Sequence, residues 1–196
     1  MNIRNSLFLA AFSLLACAAT PVGTDVPKNI IKNRNCVMVS GTPEEVYQTI
    51  DASMLINAIA NKDIFVPKNE DKCACLPVFF TTIENSIYLK DDSRELVGVY
   101  FSNSNTGERF IEIDNTLTPR IKNKVILHEM LHSIGMYHNI KEADSIMQPA
   151  LMFVLPEINT VTKNDAIRIK YLANTLNLEK FISCDTFYNK YKVQEK

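Results

Sequence analysis

The sequence predicts an α+β domain on three observations: a capped helix near the amino-terminal end, a series of short apolar and β-branched runs through the middle, and two more helices after them. A strand-like run at 36–39 comes first. In Thr42-Pro43-Glu44-Glu45, threonine stands as N-cap, proline takes the first helical position and glutamate closes a capping box. Val46, Ile50, Met54 and Ala58 recur every fourth residue, which predicts a helix to about Asn61 that buries this face. Strands are expected at 76–82, 86–89, 96–102 and 109–113, the last two separated by the turn-rich Asn103-Ser104-Asn105-Thr106-Gly107. On 110–114, Phe110, Glu112 and Asp114 share one face, polar at two of its three positions. Thr118-Pro119 opens the second helix, with threonine as cap. Ile121, Val125, Leu127, Met130, Leu131 and Ile134 leave it so little polar surface that it must be buried. Gly135 ends it. Thr162 to Asp165 form another N-terminal box, and Ala166, Ile169, Ala173 and Leu176 give the last amphipathic helix. Residues 177–196 read as a tail held down through Cys184.

A chain of 196 residues suits one domain with a sizeable core rather than two. Its 46% hydrophobic and 22% charged residues are those of a globular protein, not a disordered one. A net charge of −1 argues against nucleic acid as the main partner, which usually needs a basic surface. The first 17 residues read as an export signal: Arg4, then an apolar run at 7–16, then small residues around Cys17. Two readings of its end compete. Ser13-Leu14-Leu15-Ala16-Cys17 resembles a lipobox, which would make Cys17 the lipidated first residue, and Ala18 after it resembles an outer-membrane sorting signal. Ala16-Cys17-Ala18 also fits ordinary cleavage and a freely periplasmic or secreted protein. A transmembrane anchor is disfavoured, since the run is about half the length of a span. Residues 18–35 are polar and aperiodic and read as a linker, leaving 36–196 as the domain. Membrane association is then expected only through a lipid on Cys17, and the chain is expected to be a monomer.

Setting Cys17 aside, Cys36, Cys73, Cys75 and Cys184 remain, an even set that in an oxidising compartment suggests two disulfides with three alternative pairings. Cys73 and Cys75 are too close in sequence to favour a bond to each other, so each is expected to reach a distant partner. A cysteine zinc site is disfavoured, because Cys-x-Cys lacks the usual ligand gap.

Chemistry concentrates at 128–138, His-Glu-Met-Leu-His-Ser-Ile-Gly-Met-Tyr-His. His128 and His132, four apart on a helix, project from one face a turn apart. Glu129 sits one step round, within reach of a water beside a metal. The bend at Gly135 would let His138 approach the same ion from another direction. Three neutral imidazoles leave a fourth position open, as in catalytic rather than structural zinc sites. The chain has only three histidines and all fall in this window, whereas the five fixed residues would arise by chance in about one chain in 10⁴ of this length. Coincidence is a poor explanation.

This stretch resembles the zinc-binding signature of the metzincin metalloproteases, His-Glu-x-x-His-x-x-Gly-x-x-His, which precedes a methionine-bearing turn under the metal. Ser145-Ile146-Met147-Gln148-Pro149 follows at short distance, and both its wording and that gap are similar to the matrixin branch. The resemblance implies a twisted mixed sheet with an active-site helix and a C-terminal helix. It also implies zinc on His128, His132 and His138, Glu129 as general base, Met147 in the Met-turn, and a peptide or protein substrate. By the same likeness, 96–102 would be the edge strand that pairs with substrate through Gly98, Val99 and Tyr100, 109–114 the strand after it, and 162–176 the final helix. Leu131 stands where many matrixins have glycine, Pro149-Ala150-Leu151 lacks the tyrosine common after the Met-turn, and no Pro-Arg-Cys-Gly switch peptide is present. Other readings remain: a zinc hydrolase acting on another cell-envelope amide or ester, or a non-catalytic surface-binding lipoprotein. Asp91-Asp92 is too sparse to define a calcium site and reads as a solvated turn.

Overall fold

A computed structural model describes residues 34–67, 73–86, 89–91, 94–149 and 161–192. The expected leader, Cys17, most of the linker and Ala150-Leu151 lie outside the described residues. The seven strands among the described residues are β1 (Asn35–Ser40), β2 (Phe65–Pro67), β3 (Ala74–Thr81), β4 (Lys90–Asp91), β5 (Arg94–Glu95), β6 (Gly98–Asn103) and β7 (Glu108–Asp114). The four α-helices among the described residues are α1 (Pro43–Ala60), α2 (Pro119–Ser133), α3 (Lys163–Thr175) and α4 (Cys184–Lys192). Five strands form one mixed sheet in the order β2-β1-β3-β7-β6. Its first four strands run parallel, and β6 returns antiparallel to β7 at the edge, Tyr100 opposite Ile111. Helices and strands thus combine as an α+β domain. Among the described residues no helix is long and apolar enough to cross a membrane.

Strand periodicity sorts the core into two layers. Val37, Leu76, Val78, Ile111 and Ile113 face α1, α2 and α3 and join the main core. Their neighbours Cys36, Met38, Cys75 and Phe79 face the other way, into a cluster with Val66, Cys73, Cys184 and Phe187. The polar face of β7 is covered too. Glu108 pairs with Lys190 of α4, Glu112 accepts a hydrogen bond from Ser86, and Phe110 stacks on Phe101 with ring centroids 4.9 Å apart.

Two bonds hold the cysteine layer, Cys36–Cys73 and Cys75–Cys184. Each of the adjacent cysteines therefore reaches a distant partner, as the spacing predicts. The second bond spans 109 residues and anchors the tail, which also contains a helix, α4, that the sequence did not signal.

Local signals at helix starts hold well. Thr42 and Thr162 both make full capping boxes, with Glu45 and Asp165. Thr118 takes the N-cap position of α2 but its side chain makes no capping bond. Two expectations need correction. Of the strand expected at 86–89, residues 87–88 lie outside the described residues, and its described ends, Ser86 and Leu89, lie off the sheet, where the Ser86 hydroxyl bonds both Glu112 and the Leu89 amide. On α1, the buried residues are Glu45, Gln48, Thr49, Ala52, Ile56 and Ala60, while Ile50 and Met54 of the expected face are 43% and 62% exposed. The polar members of the buried face all find partners. Glu45 meets Lys122 at 2.6 Å, Gln48 donates to the Pro119 carbonyl, and the Thr49 hydroxyl donates to the Glu45 carbonyl. Only Gln48 Oε1 on this face is buried without a partner, so most of the cost of burying polar groups is met and Ile56 and the alanines set the packing.

Candidate metal centre

Helix α2 carries His128 and His132 on one face, one turn apart. Its carbonyls close at the C-cap through Gly135 N to His132 O at 2.9 Å and Met136 N to Leu131 O at 3.1 Å. Gly135 has φ +92°, a left-handed value that a side chain would strain, and the chain turns there toward His138. The three imidazoles converge. Nε2 of His128 lies 3.2 Å from that of His138, and His132 Nε2 lies 3.1 Å from both.

Those contacts cannot all be ordinary hydrogen bonds. His128 Nδ1 lies 2.8 Å from the Ile146 carbonyl and His132 Nδ1 lies 2.7 Å from the Met136 carbonyl. A carbonyl only accepts, so each Nδ1 carries the proton, and in the neutral ring Nε2 is left with a bare lone pair. Two lone pairs facing each other at 3.1 Å repel unless a cation lies between them. Tetrahedral coordination at about 2.0–2.1 Å would set such nitrogens about 3.3–3.4 Å apart, close to what is seen. The three residues therefore fit a metal ion. Burial supplies the right protonation state. It pushes His128 down to about 4, against the Ile146 carbonyl, and lowers His132 and His138 as well. The imidazoles are neutral at pH 7, the form that binds metal. His128 is buried and His138 exposed, so the triangle opens to solvent on one side.

Glu129 is 6% exposed. Burial raises its affinity for a proton, to a pKa of about 8, opposed by a backbone hydrogen bond from Tyr100. Strand β6 passes close over it. A Cβ on Gly98 would collide with Val125 and lie 3.1 Å from Glu129 Oε1, so only glycine allows this approach. Gly98, Val99 and Tyr100 line the same cleft as the three histidines and Glu129, a cavity of about 1060 Å³. Every candidate of the sequence reading in the described region thus falls at this cleft, except the four bonded cysteines and Met147.

Met147 is buried in the main core. The turn it belongs to supports the site through its backbone. Ile146 O holds His128, and Met147 O accepts from the amide of Asn139, which follows His138. Asp165, fully buried at the start of α3, fixes this turn by accepting from Ser145 Oγ at 2.8 Å and Ile146 N at 3.2 Å. It also accepts from Thr162 N at 3.2 Å. The sequence showed Asp165 only as a capping residue. Nothing local says that its carboxylate also serves a turn 19 residues earlier. The Ile146 and Met136 carbonyls that orient the rings were equally invisible, because backbone groups carry no residue signature.

Comparison with protein-family models and with curated proteins finds no match for this chain. Residue chemistry and geometry therefore carry the functional argument.

Proposed function

We propose that the protein is an extracytoplasmic zinc-dependent endopeptidase of the metzincin type, close to the matrixin branch. One observation carries the reading: three neutral imidazoles with Nε2 atoms 3.1–3.2 Å apart beside a buried carboxylate, on an eleven-residue motif. Zinc suits an all-nitrogen set with one open position. The antiparallel edge strand above the site supports it, since an extended peptide can add to such an edge by main-chain hydrogen bonds. Two disulfides favour an oxidising compartment.

Zinc, when bound, supplies Lewis acidity that polarises a carbonyl and makes water nucleophilic near neutral pH. The residues do the rest. His128 and His132, pinned through Nδ1, keep Nε2 aimed inward. Residues 98–100 of β6 would hold the scissile peptide extended across the cleft. Glu129 takes a proton from the attacking water at its carboxylate and delivers it to the leaving amine nitrogen as the C–N bond breaks. Burial alone would keep Glu129 protonated near neutral pH; beside a cation on the three histidines it would favour the carboxylate form that accepts the proton.

The test is a digest of an unstructured peptide library with the zinc-loaded protein. Cleavage should stop with a chelator. Glu129→Gln should keep one zinc per chain by metal analysis yet lose about 10²–10⁴-fold in kcat/KM. Full activity in that variant, or cleavage indifferent to chelation, overturns the proposal; hydrolysis confined to cell-envelope amides or esters would redirect it.

A further inference from the structure

The metal centre occupies one part of its cleft. Farther along, the wall is built from the end of α3 and residues 176–183, a segment with no role in holding a metal. Leu172, Leu176, Leu178 and Phe181 face the same cavity as Tyr100 and Ser102 of the edge strand. Leu172 and Leu176 are only partly buried, so their side chains remain available to a ligand.

This segment is fixed as firmly as a strand. Asn177 Oδ1 accepts from Glu179 N at 3.0 Å, which turns the chain out of α3. Phe181 N bonds Leu178 O at 3.0 Å, Ile182 N bonds Gly107 O at 3.1 Å, and Cys75 N bonds Ile182 O at 2.9 Å. Ser183 bridges Ala74, and the Cys75–Cys184 disulfide follows immediately. From beneath, the buried Arg109 guanidinium lies 4.3 Å from the Phe181 ring centre. That guanidinium is itself anchored, donating to the Cys75 and Ala74 carbonyls at 2.9 and 3.1 Å.

Of the two charged residues in this segment, Lys180 lines the cleft and Glu179 does not. Lys180 is exposed on the cleft wall with its ammonium 5.0 Å from the Phe181 ring centre, and Arg109 lies on that ring as well. Glu129 is the only acidic side chain among the described residues that line the cleft. An apolar shelf with a cationic rim, continuous with an edge strand and a metal centre, matches one kind of occupant: an extended peptide carrying a large aliphatic residue next to an acidic one.

We infer that the 176–183 segment is the specificity-determining wall of this cleft, with Leu172 and Leu176 receiving an aliphatic substrate side chain and Lys180 an adjacent carboxylate. The inference rests on the peptide-substrate reading above, but binding and cleavage test the two separately.

In the zinc-loaded Glu129→Gln protein, binding is followed by fluorescence anisotropy with labelled octapeptides of alanine and serine in which a Leu-Glu pair is walked along the chain. One register of the pair should tighten binding about 10-fold over the plain peptide. Adding Leu176→Ala should remove most of that gain. Adding Lys180→Glu, an exposed change that leaves packing alone, should weaken the Leu-Glu peptide about 3-fold and favour Leu-Lys instead. No favoured register, or equal affinities in parent and Lys180→Glu protein, overturns the inference. Segment-dependent binding without cleavage by the zinc-loaded native chain would sink the endopeptidase reading alone. Cleavage whose preferences ignore both substitutions would sink the wall alone.

Discussion

Helices α1 and α2 pack against each other, yet they are buried to different extents. Helix α2 is buried on most sides although Arg120, Lys122, Asn123, Lys124, His128, Glu129, His132 and Ser133 are polar or charged, with His128, Glu129 and His132 drawn in among Val125, Ile126, Met130 and Leu131. Helix α1 has two faces that could pass for apolar, and it buries the more polar one. Glu45, Gln48 and Thr49 go inside with Ala52 and Ile56, while Tyr47, Ile50, Met54 and Leu55 stay substantially exposed. In α2, polar residues go inside where they meet partners, Lys122 the Glu45 carboxylate and His128 the Ile146 carbonyl. Where two faces compete, partners on other elements decide, here Lys122 and the Pro119 carbonyl at the start of α2.

The contrast can be broken most strongly at Glu45. Its loss would leave Lys122 buried without its carboxylate and remove a capping box, so Glu45→Ala should cost about 3–5 kcal/mol in urea unfolding. A cost below about 1 kcal/mol would mean that the pair does not choose the face.

A smaller effect is expected where α3 supports the ligands carried by α2. Asp165→Asn removes charge from the group that holds Ser145 and the Ile146 amide, and through Ile146 O the ring of His128. Metal affinity, measured by competition with a chromogenic chelator, should fall about 10–100-fold while the three ligands are retained. Unchanged affinity would reduce Asp165 to a helix cap.

The buried groups of α2 also predict a pH signature for the metal-free protein. Folded His128 stays neutral down to about 4, against 6.5 in the unfolded chain, and folded Glu129 stays protonated up to about 8, against 4.5. Between pH 4.5 and 6.5 the unfolded chain thus holds one proton more at 128 and one fewer at 129, and the two slopes cancel. Glu129→Gln leaves only the histidine contribution. On acidification through that window the metal-free variant should lose up to about 1.4 kcal/mol per pH unit more than its parent. Parallel urea midpoints across that range would contradict this account.

The smallest effect sharpens the comparison from the other side. Met54→Ser, on the exposed face of α1, should change stability by no more than about 0.5 kcal/mol. A loss of 2 kcal/mol or more, of the order of a core truncation, would show that this face is covered in solution.

Local chemistry in the chain was enough for much of this protein. Thr-Pro-x-Glu and Thr-x-x-Asp marked the starts of α1 and α3, because capping satisfies amides within one turn of the residues that cap them. The histidine motif was legible for a similar reason: helical pitch and one glycine place its members within eleven residues of each other. Long-range pairing was not legible. The choice among three disulfide connectivities, the buried side of α1, the Ser86–Glu112 bond, and the second task of Asp165 all join residues far apart in sequence. Neither hydrogen-bond satisfaction nor steric fit at such points is encoded near either partner. They are settled only when the sheet brings the partners together, so the metal centre could be read from the chain while the frame that holds it could not.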